Sequence, residues 1–70
     1  MRVLLIPNSS LIQGARYDEG LKVLEVTFAG GKRYVYGNFP PDEADAFESA
    51  PSAGKHFLEA IKPSYTGTRG

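Results

Sequence analysis

The clearest alternation in the chain runs from Leu24 to Phe28, where Leu24, Val26 and Phe28 are separated by Glu25 and Thr27. A repeat of two marks a strand with one buried face. Gly30-Gly31 follows, and a glycine pair adopts the positive φ angles that a tight hairpin requires. Arg33 to Tyr36 then returns as a second strand rich in aromatic and β-branched residues. The pattern predicts a hairpin of strands 22–28 and 33–36, with two registers open. A two-residue loop sets Phe28 opposite Arg33 and Val26 opposite Val35, and turns Tyr34 and Tyr36 outward beside Thr27 and Glu25. A three-residue loop places Tyr34 and Tyr36 with Val26 and Leu24 on the core face.

Around this hairpin the remaining elements are shorter. Residues 2–6 read as a strand apolar enough to be covered on both faces. Pro7 to Ser10 forms a turn, Leu11 to Tyr17 is extended with Gly14 as a bulge point, and Asp18-Glu19-Gly20 is a second turn. Consecutive prolines at 40 and 41 end the sheet, because neither can donate to a ladder. Pro41 opens a helix over 41–50, with Asp42 and Glu43 in its first turn and Ala46, Phe47 and Ala50 on its apolar face. Pro51 breaks it. Ser52 caps a second helix through Ile61 whose stripe is Phe57, Leu58 and Ile61, and Pro63 closes it.

The predicted fold is α+β: a small antiparallel sheet of three to four strands packed on one face by two short C-terminal helices. Residues 1–65 form one domain and 66–70 a flexible tail. The expected core is Leu5, Ile12, Leu24, Val26, Phe28, Val35, Phe39, Phe47, Phe57, Leu58 and Ile61.

Composition narrows the function classes. Hydrophobic residues at 41% and charged residues at 23% fit a folded domain rather than a disordered chain. The absence of cysteine removes disulfides, thiolate nucleophiles and Cys-type zinc sites, and suits a reducing cytoplasm. The apolar run 3–6 is too short for a signal-peptide core or a membrane span, so Asn8-Ser9-Ser10 is read as a chance glycosylation match. Eight basic residues balance eight acidic ones, which argues against nucleic-acid affinity driven by bulk charge. Asp42, Glu43, Asp45 and Glu48 crowd a segment without a base, giving a dipolar surface suited to orienting a protein partner. The expected form is a monomer that does not engage a membrane.

Catalytic motifs are scarce. His56 is the single histidine; Ser9, Ser10 and Ser52 supply hydroxyls, but one imidazole on a short helix reads as a packing or surface residue. Ser52-Ala53-Gly54-Lys55 lacks the leading glycine and the trailing Ser or Thr of a phosphate loop. The reading is therefore non-enzymatic, with no cofactor and no metal. Binding chemistry is better represented. Lys32, Arg33, Tyr34 and Tyr36 put two bases beside two aromatics on one hairpin, and Arg16 and Tyr17 sit on a neighbouring strand. These six are the candidate contact residues.

The assembled pattern resembles the KTSC domain, named for its occurrence at the C-terminus of some lysyl-tRNA synthetases and also found alone in bacteria and phages. The resemblance is carried by Ser9-Ser10-x-Ile12, Tyr17-Asp18 and Leu24-x-Val26-x-Phe28-x-x-Gly31-x-x-Tyr34-x-Tyr36. It continues through Pro40, Ala50-x-Ser52-x-Gly54-x-x-Phe57-x-x-x-Ile61 and Tyr65. Phe39 departs from the usual Val before the proline. Lys62-Pro63 stands in place of an Arg-containing turn, which weakens any phosphate contact there because Lys lacks the planar fork of Arg. The resemblance implies RNA binding by association with the synthetase. The short, free-standing form and zero net charge are similar to phage-encoded regulators that bind bacterial RNA polymerase and inhibit transcription initiation. The expected function is thus docking on RNA polymerase, with antitermination as a related outcome. The alternative is a single-stranded RNA module using Tyr34 and Tyr36 as a stacking surface.

Overall fold

In the computed structural model, which describes residues 1–6 and 9–70, the alternating stretch forms the middle of a five-stranded antiparallel sheet. The strands are β1 (Arg2–Leu4), β2 (Ile12–Asp18), β3 (Val23–Phe28), β4 (Arg33–Tyr36) and β5 (Gly67–Arg69), arranged side by side in chain order. Between β4 and β5 come α1 (Pro41–Ser49) and α2 (Ala53–His56), the latter running on into a π-helical turn over Phe57–Ile61. The predicted turn from Pro7 to Ser10 includes residues 7 and 8, which lie outside the described residues.

The hairpin adopts the three-residue loop. Phe28 N–H donates to the Lys32 carbonyl at 2.7 Å, and Gly31 N–H donates back to the Phe28 carbonyl at 2.9 Å. Gly30 and Gly31 hold φ of 93° and 89°, so the glycine pair serves the turn as its sequence implies. Leu24 then faces Tyr36 and Val26 faces Tyr34, which puts both tyrosines on the core side. In β2 the register with β3 shifts between Ile12 and Gly14, the bulge that Gly14 marks. One extra residue there lets Ile12, Ala15 and Tyr17 share the buried face although their spacing is not a simple alternation.

Register also corrects the predicted core. Leu4 lies opposite Ala15 on the covered face, so its neighbour Leu5 points outward and is 80% exposed. Val3 is exposed as well, so β1 is covered on one face and not on both. Val35 sits on the outer face beside Arg33 and is half-buried. On α1 the buried residues are Ala44 and Phe47, three apart, whereas Ala46 is exposed. On the second helix the buried residues Ala53, Phe57 and Ile61 recur every four positions. A regular 3.6-residue turn would let that row drift, and the wider closure from Lys62 N–H to the Phe57 carbonyl, at 2.8 Å, keeps it aligned. Leu58, expected inside, is left half-exposed at 51%.

Two buried contacts join the sheet to the helical half of the chain. The Tyr17 hydroxyl donates to the Phe39 carbonyl, and Phe39 N–H donates to the Lys22 carbonyl at 2.9 Å. Phe39 is fully buried, edge-on to Tyr17 at 6.1 Å and tilted against Tyr65 at 4.7 Å. Residues 66–70, expected as a flexible tail, instead supply β5: Thr68 lies opposite Val35, and Gly70 N–H donates to the Arg33 carbonyl at 3.0 Å. This strand fits because residue 67 is glycine. A Cβ there would lie 2.6 Å from Cε2 of Tyr36, whose ring leans over the strand.

Two substitutions test these contacts through stability. Tyr17→Phe leaves the buried Phe39 carbonyl without its donor and should cost about 1–3 kcal/mol in urea denaturation. Burial, the main cause, raises the Tyr17 hydroxyl pKa above its ordinary 10.0, so its contribution is complete below pH 10 and is lost as pH rises through the folded value. The alkaline loss of stability should accordingly be shallower in the Phe variant, as measured by thermal denaturation across pH. Gly67→Ala forces the Tyr36 ring or β5 to move and should destabilise by about 1–3 kcal/mol, with β5 amides exchanging faster with solvent.

Candidate binding cleft

The sheet divides the six candidate contact residues between its two faces. Arg16 and Arg33 project from the uncovered face, opposite Glu25 and Thr27 respectively. Arg16 is tied by its Nε to Glu25 Oε1 at 2.9 Å, while Arg33 is exposed. The other four belong to the covered face or its end. Tyr17 is fully buried and Tyr36 is 5% exposed, so neither offers a broad ring face on the open surface of the sheet. This corrects the expected surface: the register that brings Tyr36 beneath the helices also removes the flat tyrosine platform. Tyr34 is half-buried, and Lys32 is exposed at the hairpin end.

What the covered face offers instead is an open cleft of about 280 Å³ between the hairpin and the π-helical turn. Phe28, Tyr34, Tyr36 and Phe57 form its aromatic wall, packed edge to face with ring centroids 5.1 Å apart for Phe28–Phe57, 5.7 Å for Phe28–Tyr34 and 5.8 Å for Tyr36–Phe57. Leu11 and Leu58 supply aliphatic sides and Lys62 a cation. Burial, and after it the neighbouring Tyr34, raises the Tyr36 hydroxyl pKa above its ordinary value. Such a site can take an apolar or aromatic group and hold an anionic neighbour near Lys62. Tyr34 and Tyr36 were legible as candidates from sequence. Leu58 was not, because its apolar character is equally that of a core position and the sequence does not show which side of the buried row it takes.

Other polar groups are engaged elsewhere. Ser9 Oγ accepts from Leu11 N–H at 3.2 Å, and Ser52 Oγ caps the second helix by accepting from Lys55 N–H at 3.4 Å. His56 stacks on Phe47 with ring centroids 5.8 Å apart, and its buried Nε2 has no partner among the described residues. The acidic segment is not free of bases in space. Arg2 reaches across from β1 to Asp45 at 2.9 Å and Glu48 at 3.1 Å, and the second Glu48 oxygen accepts from Leu5 N–H at 2.7 Å. Among the described residues no group of three or more potential metal ligands occurs, and no helix is long and apolar enough to cross a membrane.

Comparison with known proteins agrees with this architecture. The family model of the KTSC domain matches residues 8–65. An uncharacterised protein of Stutzerimonas stutzeri is 37% identical over 57 residues, covering 81% of this chain and 80% of that protein. A lysine–tRNA ligase of Nostoc punctiforme is 34% identical over 62 residues, covering 89% of this chain but 11% of the ligase. The crystal structure of a KTSC domain protein from Yersinia pestis superimposes with a TM-score of 0.84 at 30% identity, covering 93% of this chain and 92% of that one. The matched sequence, its near-complete coverage and the shared fold agree, and the chain belongs to the KTSC domain family.

Proposed function

We propose that this domain acts by binding rather than catalysis, as a regulator that docks on bacterial RNA polymerase in the cytoplasm and inhibits transcription initiation. The observation that carries a binding role is the aromatic cleft, an open apolar site bordered by Lys62 and backed by a fixed cluster of rings. A protein partner is favoured because Tyr17 and Tyr36 are buried, which removes the broad stacking surface that single-stranded RNA would use. Tyr34, Leu58 and Lys62 at the cleft, Lys32 at the hairpin end and Arg33 on the opposite face are the contact residues this reading retains. The polymerase as partner is supported by the small size of the Stutzerimonas relative, of which this domain covers 80%. RNA binding is the second reading, favoured by the occurrence of a related segment in a lysine–tRNA ligase and by the half-exposed Tyr34 close to Lys62.

The test is an amide-shift titration of labelled protein with purified bacterial RNA polymerase and, separately, with short mixed-sequence RNA. Loss of signals at residues 32–34 and 58 with polymerase, and an unchanged spectrum with RNA, is the expected result. Shifts at Tyr34 and Lys62 with RNA alone would replace the first reading by the second. Leu58→Glu and Arg33→Glu should each weaken polymerase binding about tenfold while altering stability by no more than about 0.5 kcal/mol, since both side chains are exposed. Unchanged affinity in Leu58→Glu would remove the cleft, and unchanged affinity in Arg33→Glu would remove the outer face.

A further inference from the structure

The two edges of the sheet differ. At the β1 edge, α1 is held by Arg2, and Glu48 accepts the outward-pointing Leu5 N–H at 2.7 Å. At the β5 edge, no strand pairs with the outer side among the described residues. The direction of the unpaired groups is set by one bond. Gly70 N–H donates to the Arg33 carbonyl, so by antiparallel alternation Thr68 turns its backbone groups inward to Val35. Gly67 and Arg69 therefore present N–H and C=O away from the sheet, at the spacing of a strand.

The side chains beside that edge point the same way. Gly67 and Arg69 lie opposite Tyr36 and Tyr34, on the side of the sheet that carries the cleft. Because residue 67 has no side chain, nothing from it stands between the free edge and the Tyr36 ring leaning over it. Arg69 and Lys62 are exposed and make no ion pair among the described residues, whereas the carboxylates Asp45 and Glu48 lie on α1, at the β1 edge.

We propose that β5 accepts an extended acidic peptide as a sixth strand, with an apolar or aromatic side chain of that peptide entering the cleft and a neighbouring carboxylate meeting Arg69 or Lys62. The choice of occupant rests on the edge itself. Alternating unpaired N–H and C=O groups are satisfied by another strand, and a nucleic acid cannot match them. The cations beside it select negative charge. This deepens the protein-binding reading of the domain and rests on it.

A displayed random-peptide library selected against the whole chain supplies the probe. Enriched peptides should alternate apolar or aromatic residues with others and carry Asp or Glu, and a synthetic copy should shift the amides of Gly67, Arg69, Tyr34 and Leu58. Arg69→Pro removes an outward N–H while leaving the inward bonds of Thr68 and Gly70, and should weaken the peptide about tenfold, more than Arg69→Ala does. Methylating those peptide amides that face β5 should abolish binding, while methylating the alternate ones should not, a readout that is independent of how the protein variants fold. Absence of enrichment, shifts on another surface, equal affinities of the Pro and Ala variants, or tolerance of every methylation would overturn the proposal, as would occupation of the edge by a second copy of the chain. Peptide capture at β5 without polymerase binding would keep the edge and discard the polymerase. Polymerase binding that Arg69→Pro leaves unchanged would do the reverse.

Discussion

The hydroxyl of Tyr17, donated in the interior to the carbonyl of Phe39, is the constraint on which the rest of the molecule depends. It reaches from the second strand to the residue where the sheet ends and the helical part begins. Without it, the Phe39 carbonyl would be a buried acceptor facing a hydrocarbon core. With it, and with Lys22 holding the Phe39 N–H, the chain leaves the hairpin in one direction. That direction decides where Pro40 and Pro41 start α1, and so which face of the sheet the helices cover. The left-handed Asn38, at φ 55°, makes the preceding turn possible.

The elements with strong local signals were legible in the sequence. The hairpin, the bulge at Gly14, the proline-initiated helix and the Ser52 cap each depend on residues whose backbone preferences act over a few positions. What was not legible depends on pairing between distant segments. Leu4 and Leu5 are equally apolar, and only the register with Ala15 decides which one is inside. The tail reads as frayed because Thr-Gly-Thr-Arg-Gly has no apolar periodicity, yet the hairpin supplies the free edge against which it pairs. Leu58 illustrates a third cause, because it is adjacent in sequence to the buried Phe57 and its apolar side chain alone does not tell a cleft position from a core one.

The candidate site was legible as a region rather than as an arrangement. Tyr34 and Tyr36 do border the cleft, but with the hairpin loop open between two and three residues their accessibility was open too. The observed register exchanges a stacking platform for a recess, with Phe28 and Phe57 completing walls that belong to different elements. Arg2 shows the same limit in the electrostatics. The acidic run from Asp42 to Glu48 contains no base in sequence, and acquires one from the other end of the domain.

The Glu48 contact with Leu5 N–H has a consequence for assembly. A sheet grows into a filament when each added copy offers a fresh edge equivalent to the one just used. Here the Glu48 carboxylate already occupies the Leu5 N–H beside the end of β1, so a strand joining at that corner must first displace it. The two borders of the sheet thus differ in what a newcomer must displace, and that inequality works against repetitive edge-to-edge growth.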